Sequence, residues 1–178
     1  MYAVISKLDP YHSERVQAHW SAALAGCGHA GVPLAPVPHF TWWLAPDAQR
    51  SSLLATLAVL AKRLQPFPIS TSGIGLFTQP ELVVYVPLVR NSRLLLLHET
   101  IWEHCRSSAP ESSAHYAPDR WLPHVTLAQP VDLPSLNCLL PGLLADAWQW
   151  DLSIDNLALA YQPPAGPAEI LADHQLGE

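Results

Sequence analysis

The chain has 178 residues, 49% of them hydrophobic and 13% charged, with 18 prolines. That is one domain's worth of sequence with material for a core, and it excludes a disordered tail, a coiled coil and a long-helix bundle. The formal charge is −6, from 9 Lys+Arg against 15 Asp+Glu beside 9 His, which argues against coating of long nucleic acid, because each neutralised phosphate needs a cation.

The apolar run Tyr2 to Leu8 predicts a first strand. Asp9-Pro10 then reads as a helix start, a cap followed by proline in the first turn. Val16, Trp20, Leu24 and Cys27 recur at helical spacing until Gly26 and Gly28 end the pattern. A proline-rich loop from Gly31 to Pro38 leads to a short strand, His39 to Leu44. A second helix is expected after Pro46-Asp47, with Leu53, Leu57, Leu60 and Leu64 on one face and Pro66 as its stop. Two strands follow, Pro68 to Thr78 and Glu81 to Val89. Ser92 is the expected cap of a third helix carrying Leu94, Leu97, Ile101, Trp102 and Cys105. A polar loop, Ser107 to Trp121, precedes a strand at His124 to Ala128. Pro134 to Ala147 reads as a helix interrupted by Pro141-Gly142. The end reads as a strand from Trp148 to Tyr161, a proline-rich turn, and a short strand near Glu169 to Ala172. The second half echoes the first in order, so residues 1–178 are expected to form one α+β domain with two lobes.

Cys27, Cys105 and Cys138 are far apart and form no C-x-x-C, so three reduced thiols are expected rather than a disulfide framework or a zinc site. The first ten residues contain Lys7, Asp9 and Pro10 and leave no room for an export signal. Residues 16 to 46 lack Asp, Glu, Lys and Arg, but glycines, prolines and histidines interrupt them, so no membrane span is expected. A cytoplasmic monomer follows from these readings.

Two segments share one pattern: Pro38-His39-Phe40-Thr41-Trp42 and Pro123-His124-Val125-Thr126-Leu127. Both read Pro-His-apolar-Thr-apolar, and one such segment by chance is expected in roughly one chain in a hundred. On a strand, residues two apart share a face. Each motif therefore offers an imidazole and a hydroxyl to one side and two apolar side chains to the other. Two such strands together suit phosphoester chemistry. A neutral imidazole activates a water, an imidazolium protonates the leaving oxygen, and threonine hydroxyls donate to the non-bridging oxygens. The spacing does not say which histidine is the base.

With these paired His-x-Thr motifs the chain resembles the two-histidine phosphoesterase superfamily, which includes bacterial 2′-5′ RNA ligase-like proteins and cyclic phosphodiesterases. The resemblance implies a bilobal α+β fold, two pseudo-symmetric lobes of antiparallel sheet with flanking helices around a central cleft. It implies opening of 2′,3′-cyclic phosphates on nucleotides or short RNA ends, to a 2′-phosphate, without metal or cofactor. Catalysis is carried over to His39 and His124, and phosphate binding to Thr41 and Thr126. Relatives that act on RNA often have an arginine just after the second motif, where this chain has Ala128, Gln129 and Pro130. With nine cations in all, a small cyclic nucleotide or a short end is the expected partner, and RNA ligation is not. The alternative is a module that binds a nucleotide or phosphometabolite in the same cleft without turnover. A histidine-bound metal is a third reading that the threonines do not support.

Four further residues are candidates for substrate contact. Trp43 shares strand parity with His39 and Thr41, so its indole could stack on a base. Trp121, His115 and Arg120 precede the second motif. Tyr85 is assigned to sheet packing, and Gly73-Ile74-Gly75 to a strand irregularity.

Overall fold

The computed structural model describes residues 1–31 and 35–178. Its elements run β1 (Tyr2–Lys7), α1 (Pro10–Cys27), β2 (His39–Ala45), α2 (Arg50–Arg63), β3 (Phe67–Ser70), β4 (Gly75–Phe77), β5 (Leu82–Pro87), α3 (Ser92–Arg106), β6 (His124–Val131), α4 (Leu133–Ala145), β7 (Asp151–Ile154), β8 (Asn156–Tyr161) and β9 (Glu169–Gln175). The expected α+β architecture is present. Seven strands form one antiparallel sheet in the order β4-β5-β6-β2-β1-β8-β9, and β3 pairs with β7 in a second, two-stranded sheet. The two expected lobes are the halves of the large sheet. They meet where β2 and β6, the two motif strands, share the single pair Phe40–Val125.

Local chemistry explains most boundaries. Asp9 caps α1 by accepting from the His12 amide at 3.0 Å, and Gly28 ends it in the left-handed conformation at φ 66°. Asn91, rather than Ser92, caps α3, accepting from the Leu94 amide at 2.8 Å. The α2 helix starts at Arg50, later than its proline suggested, and α4 runs through Pro141, whose ring faces solvent.

Two expected strands divide. Pro68 to Thr78 becomes β3 and β4, which belong to different sheets. Trp148 to Tyr161 becomes β7 and β8, also in different sheets, with the switch at Asp155. Asn156 fixes that switch by accepting from the Lys7 amide and donating to the Lys7 carbonyl. Of the loop Gly31 to Pro38, residues 32–34 lie outside those described.

The main core includes Val16, Leu53, Leu57, Leu94, Ile101 and the indoles Trp42, Trp43 and Trp121. The arrangement of helices over the motif strands is reciprocal: α1 packs against β6, and α3 against β2. At the centre lies His98, fully buried on α3. Its ring stacks on Trp121 at 3.8 Å and 4°, and its Nε2–H donates to the Trp42 and Tyr116 carbonyls, 3.1 Å each. Burial pushes its pKa down to about 4, from 6.5 when exposed. The unfolded chain therefore binds the proton first, and stability is lost as pH falls from about 6.5 towards 4. Urea titrations should show that fall, and His98→Gln should flatten it; an equal slope in the variant would assign the loss to other groups.

The cysteine expectation is corrected. Cys27 and Cys138 form a disulfide, their Cα atoms 5.9 Å apart across a sequence separation of 111. Packing of α1 on α4 brings them together, and no local spacing reports such a contact. Cys105 is free and buried, its thiol pushed up to about 12, and so inert at neutral pH. Among the described residues no helix is long and apolar enough to cross a membrane.

Candidate functional site

The pair Phe40–Val125 sets the geometry of the site. In antiparallel register it brings His39 beside Thr126 and Thr41 beside His124. The side chains follow the expected alternation: Phe40, Trp42, Val125 and Leu127 are buried, while His39, Thr41, His124 and Thr126 are half-buried on the other face. These four polar residues line one central cavity of about 250 Å³.

Both imidazoles are held in the same way. His39 Nδ1 lies 2.7 Å from the Val37 carbonyl, and His124 Nδ1 lies 2.7 Å from the Leu122 carbonyl. A carbonyl only accepts, so each Nδ1 carries the hydrogen and each Nε2 is left for the cavity. Burial lowers the pKa of both histidines. For His39 the Val37 hydrogen bond opposes the shift and a charge on His124 adds to it; for His124 the Leu122 hydrogen bond opposes it.

Matching β-bulges then reverse the alternation in both strands. In β2, the partner of Ile5 is Thr41 and that of Val4 is Trp43, so Trp42 is the extra residue. In β6, Tyr85 pairs with Thr126 and Val84 with Ala128, so Leu127 is extra. Each bulge falls one residue after the motif threonine.

This corrects the reading of Trp43. The bulge turns its indole into the core, where it is fully buried and donates to Ser112 Oγ at 3.0 Å. The next residues, Leu44 and Gln129, face the cleft instead. Trp121 is also a core residue, 1% exposed, donating to the Thr41 carbonyl at 2.9 Å. It forms only part of the wall of a pocket of about 280 Å³ beside His124, which His115 and Arg120 line as well. Both of these are exposed, and neither lines the central cavity. A second flanking pocket, about 320 Å³, lies beside His39 and is walled mainly by apolar residues such as Ala3, Pro36 and Ala160.

Several cleft residues carried no signal in the sequence. Tyr116, next to the candidate His115, lines the central cavity; burial raises its hydroxyl pKa, and a side-chain hydrogen bond with Thr41 opposes the rise. Trp20 of α1 also lines it. Gly31, at φ 70°, lies against this indole, and a Cβ there would sit 2.7 Å from Cδ1. Tyr85 is not simple sheet packing, because it stacks on Phe77 at 4.1 Å and both rings abut His124, at 5.2 and 5.0 Å. Gly75, its cross-strand partner, makes that possible: a Cβ there would run into the Tyr85 ring. Among the described residues no cluster of three or more His, Cys, Asp or Glu could hold a metal.

Known proteins share this architecture. The apo crystal structure of LigT from E. coli aligns with a TM-score of 0.62 at 16% identity, covering 99% of this chain and 97% of that one. The protein TT0787 of Thermus thermophilus aligns equally well, also at 0.62 and 16%, over 99% and 98%. LigT has also been crystallised with 3′-AMP. A Bacillus cytotoxicus protein provisionally named a phosphoesterase is 25% identical over 128 residues, 70% of each chain. The profile of the 2′-5′ RNA ligase superfamily matches residues 9–163, a span that contains both His-x-Thr motifs. On that match the chain belongs to the 2′-5′ RNA ligase superfamily.

Proposed function

We propose that the protein is a phosphodiesterase that opens 2′,3′-cyclic phosphates on nucleotides or short RNA ends, leaving a 2′-phosphate. The observation that carries this reading is the convergence of two imidazoles and two hydroxyls on one cavity, with both rings fixed so that Nε2 is free. The complex of its structural neighbour LigT with 3′-AMP supports a small nucleotide as the partner.

In this reading one neutral imidazole takes a proton from water as its oxygen bonds to phosphorus. The bond from phosphorus to the ribose 3′-oxygen breaks, and the other imidazolium protonates that oxygen. Thr41 and Thr126 donate to the non-bridging oxygens, whose charge grows in the transition state. A charge on one ring opposes a charge on the other, so the singly protonated pair has one acid and one base. The two imidazoles supply both proton transfers, and the reading needs no metal or cofactor.

The test is incubation with 2′,3′-cyclic AMP and with a cyclic-phosphate-ended oligonucleotide in chelator, with products separated by chromatography. The pH profile of kcat/KM should be bell-shaped. Burial lowers both histidines from 6.5. The acid therefore loses its proton, and activity its alkaline limb, below pH 6.5, so the maximum lies on the acidic side of that value. Tight binding with no product would leave a binding module in place of an enzyme, and a maximum above pH 7.5 would oppose the downward shift of the two histidines.

A further inference from the structure

The two pockets that flank the central cavity are built differently. The pocket beside His39 has no Phe, Tyr or Trp among its described lining residues. The pocket beside His124, about 280 Å³, is bordered by Phe77 and Trp121. Tyr85 backs Phe77 at 4.1 Å and 24°, and the Phe77 ring stands at 81° to that of His124 with the centroids 5.0 Å apart. A flat ring held from behind, beside the site of the phosphate, is a stacking surface for a base.

One carboxylate lies in this neighbourhood. Glu81, in the turn between β4 and β5, is the single acidic side chain among the described residues that line the three cavities. It is exposed, and among the described residues it forms no ion pair. A negative charge beside a bound phosphodiester weakens binding, unless the same ligand brings donors to it. Arg120 lines the pocket as well and supplies the opposite charge. Its ion-pair partner is its own sequence neighbour, Asp119, at 4.0 Å, and its guanidinium stays exposed.

Of the four bases, guanine alone matches this pair of charges. Its N1–H and N2–H lie side by side and suit the two oxygens of a carboxylate, while O6 and N7 accept from an arginine fork. Adenine and cytosine set a ring-nitrogen acceptor beside their amino group, and uracil flanks its N3–H with two carbonyls, so each turns an acceptor towards the carboxylate.

We propose that the pocket beside His124 is a guanine site, in which the base stacks on Phe77, Glu81 accepts from N1–H and N2–H, and Arg120 donates to O6 and N7. The substrate class is then guanosine 2′,3′-cyclic phosphate, free or at the end of a short RNA. The proposal rests on the cyclic-phosphate reading above and names the base that reading leaves open.

The experiment compares kcat/KM for the 2′,3′-cyclic phosphates of guanosine, adenosine, cytidine and uridine on the whole protein. Guanosine should lead the other three by about tenfold, the worth of one bidentate base contact. Glu81→Gln and Arg120→Gln, both at exposed positions, should each cut that lead by about threefold or more. Phe77→Leu should raise KM for all four alike, because stacking tolerates any base. If the protein binds without turnover, calorimetry with the same four ligands makes the same comparison, so failure of the reaction is separable from failure of the guanine site. Equal values for the four bases, a lead for another base, a guanosine lead that folded E81Q or R120Q retains, or KM values that Phe77→Leu leaves in place overturn the guanine site alone. Binding of none of the four ligands overturns both readings.

Discussion

Replacing His39 or His124 with alanine should lower turnover of 2′,3′-cyclic AMP by about 10²–10⁴-fold, the usual worth of a positioned acid or base. Neither ring belongs to the hydrophobic core, and each makes one backbone hydrogen bond, to Val37 or Leu122, so both variants should fold and melt close to the parent. The two losses should differ in kind. A diester with an activated phenolate leaving group needs no acid. The variant that lacks the acid should recover much of its activity on such a substrate, and lose the alkaline limb of its pH profile. The variant that lacks the base should remain impaired, because the water still needs a base. Full activity of either variant on the cyclic nucleotide would end the two-histidine mechanism. Recovery in one variant alone identifies its histidine as the acid, and equal recovery in both would oppose separate acid and base roles.

Trp121→Ala should destabilise the fold by about 3–5 kcal/mol, in the range for a buried tryptophan emptied to alanine. Trp121 is packed between His98, at 3.8 Å, and Trp42, at 5.3 Å and 22°. Its indole N–H also satisfies the Thr41 carbonyl, which the substitution leaves unpaired at a further cost. Against a typical net stability of about 5–15 kcal/mol, one such change approaches unfolding. The denaturation midpoint in urea gives the measurement. Trp121→Phe serves as the milder control, since it keeps an aromatic ring but loses the donor, and should cost about 1–2 kcal/mol. A shift below about 1 kcal/mol in the alanine variant would mean that the stack does not bear on stability. Activity should suffer too, because Trp121 holds the strand of Thr41 and lies three residues before His124.

Much of the site could be read from the chain because its chemistry is local. A histidine and a threonine two apart on a strand share a face whatever the strand packs against, so His39 with Thr41, and His124 with Thr126, were legible as pairs. The caps at Asp9 and Gly28 were legible for the same reason. Trp43 shows where local reasoning stops. Its parity is right for an unbroken strand, but the extra residue at Trp42 exists only in the pairing of β2 with β1. The same device at Leu127 brought Gln129 to the cleft, and nothing in its neighbours announces that. The Cys27–Cys138 bridge and the stack of His98 on Trp121 likewise join residues far apart in sequence.

The α+β class, most helix limits, the two His-x-Thr pairs and the shortage of Lys and Arg are legible in the chain, since composition and period are local properties. That both pairs face one cavity, through the single Phe40–Val125 pair, and that two bulges exchange Trp43 for Leu44 and add Gln129, follows from the assembled sheet. Register and bulges depend on which partner a strand finds, and that choice is made by the packing of the whole sheet rather than by any short segment.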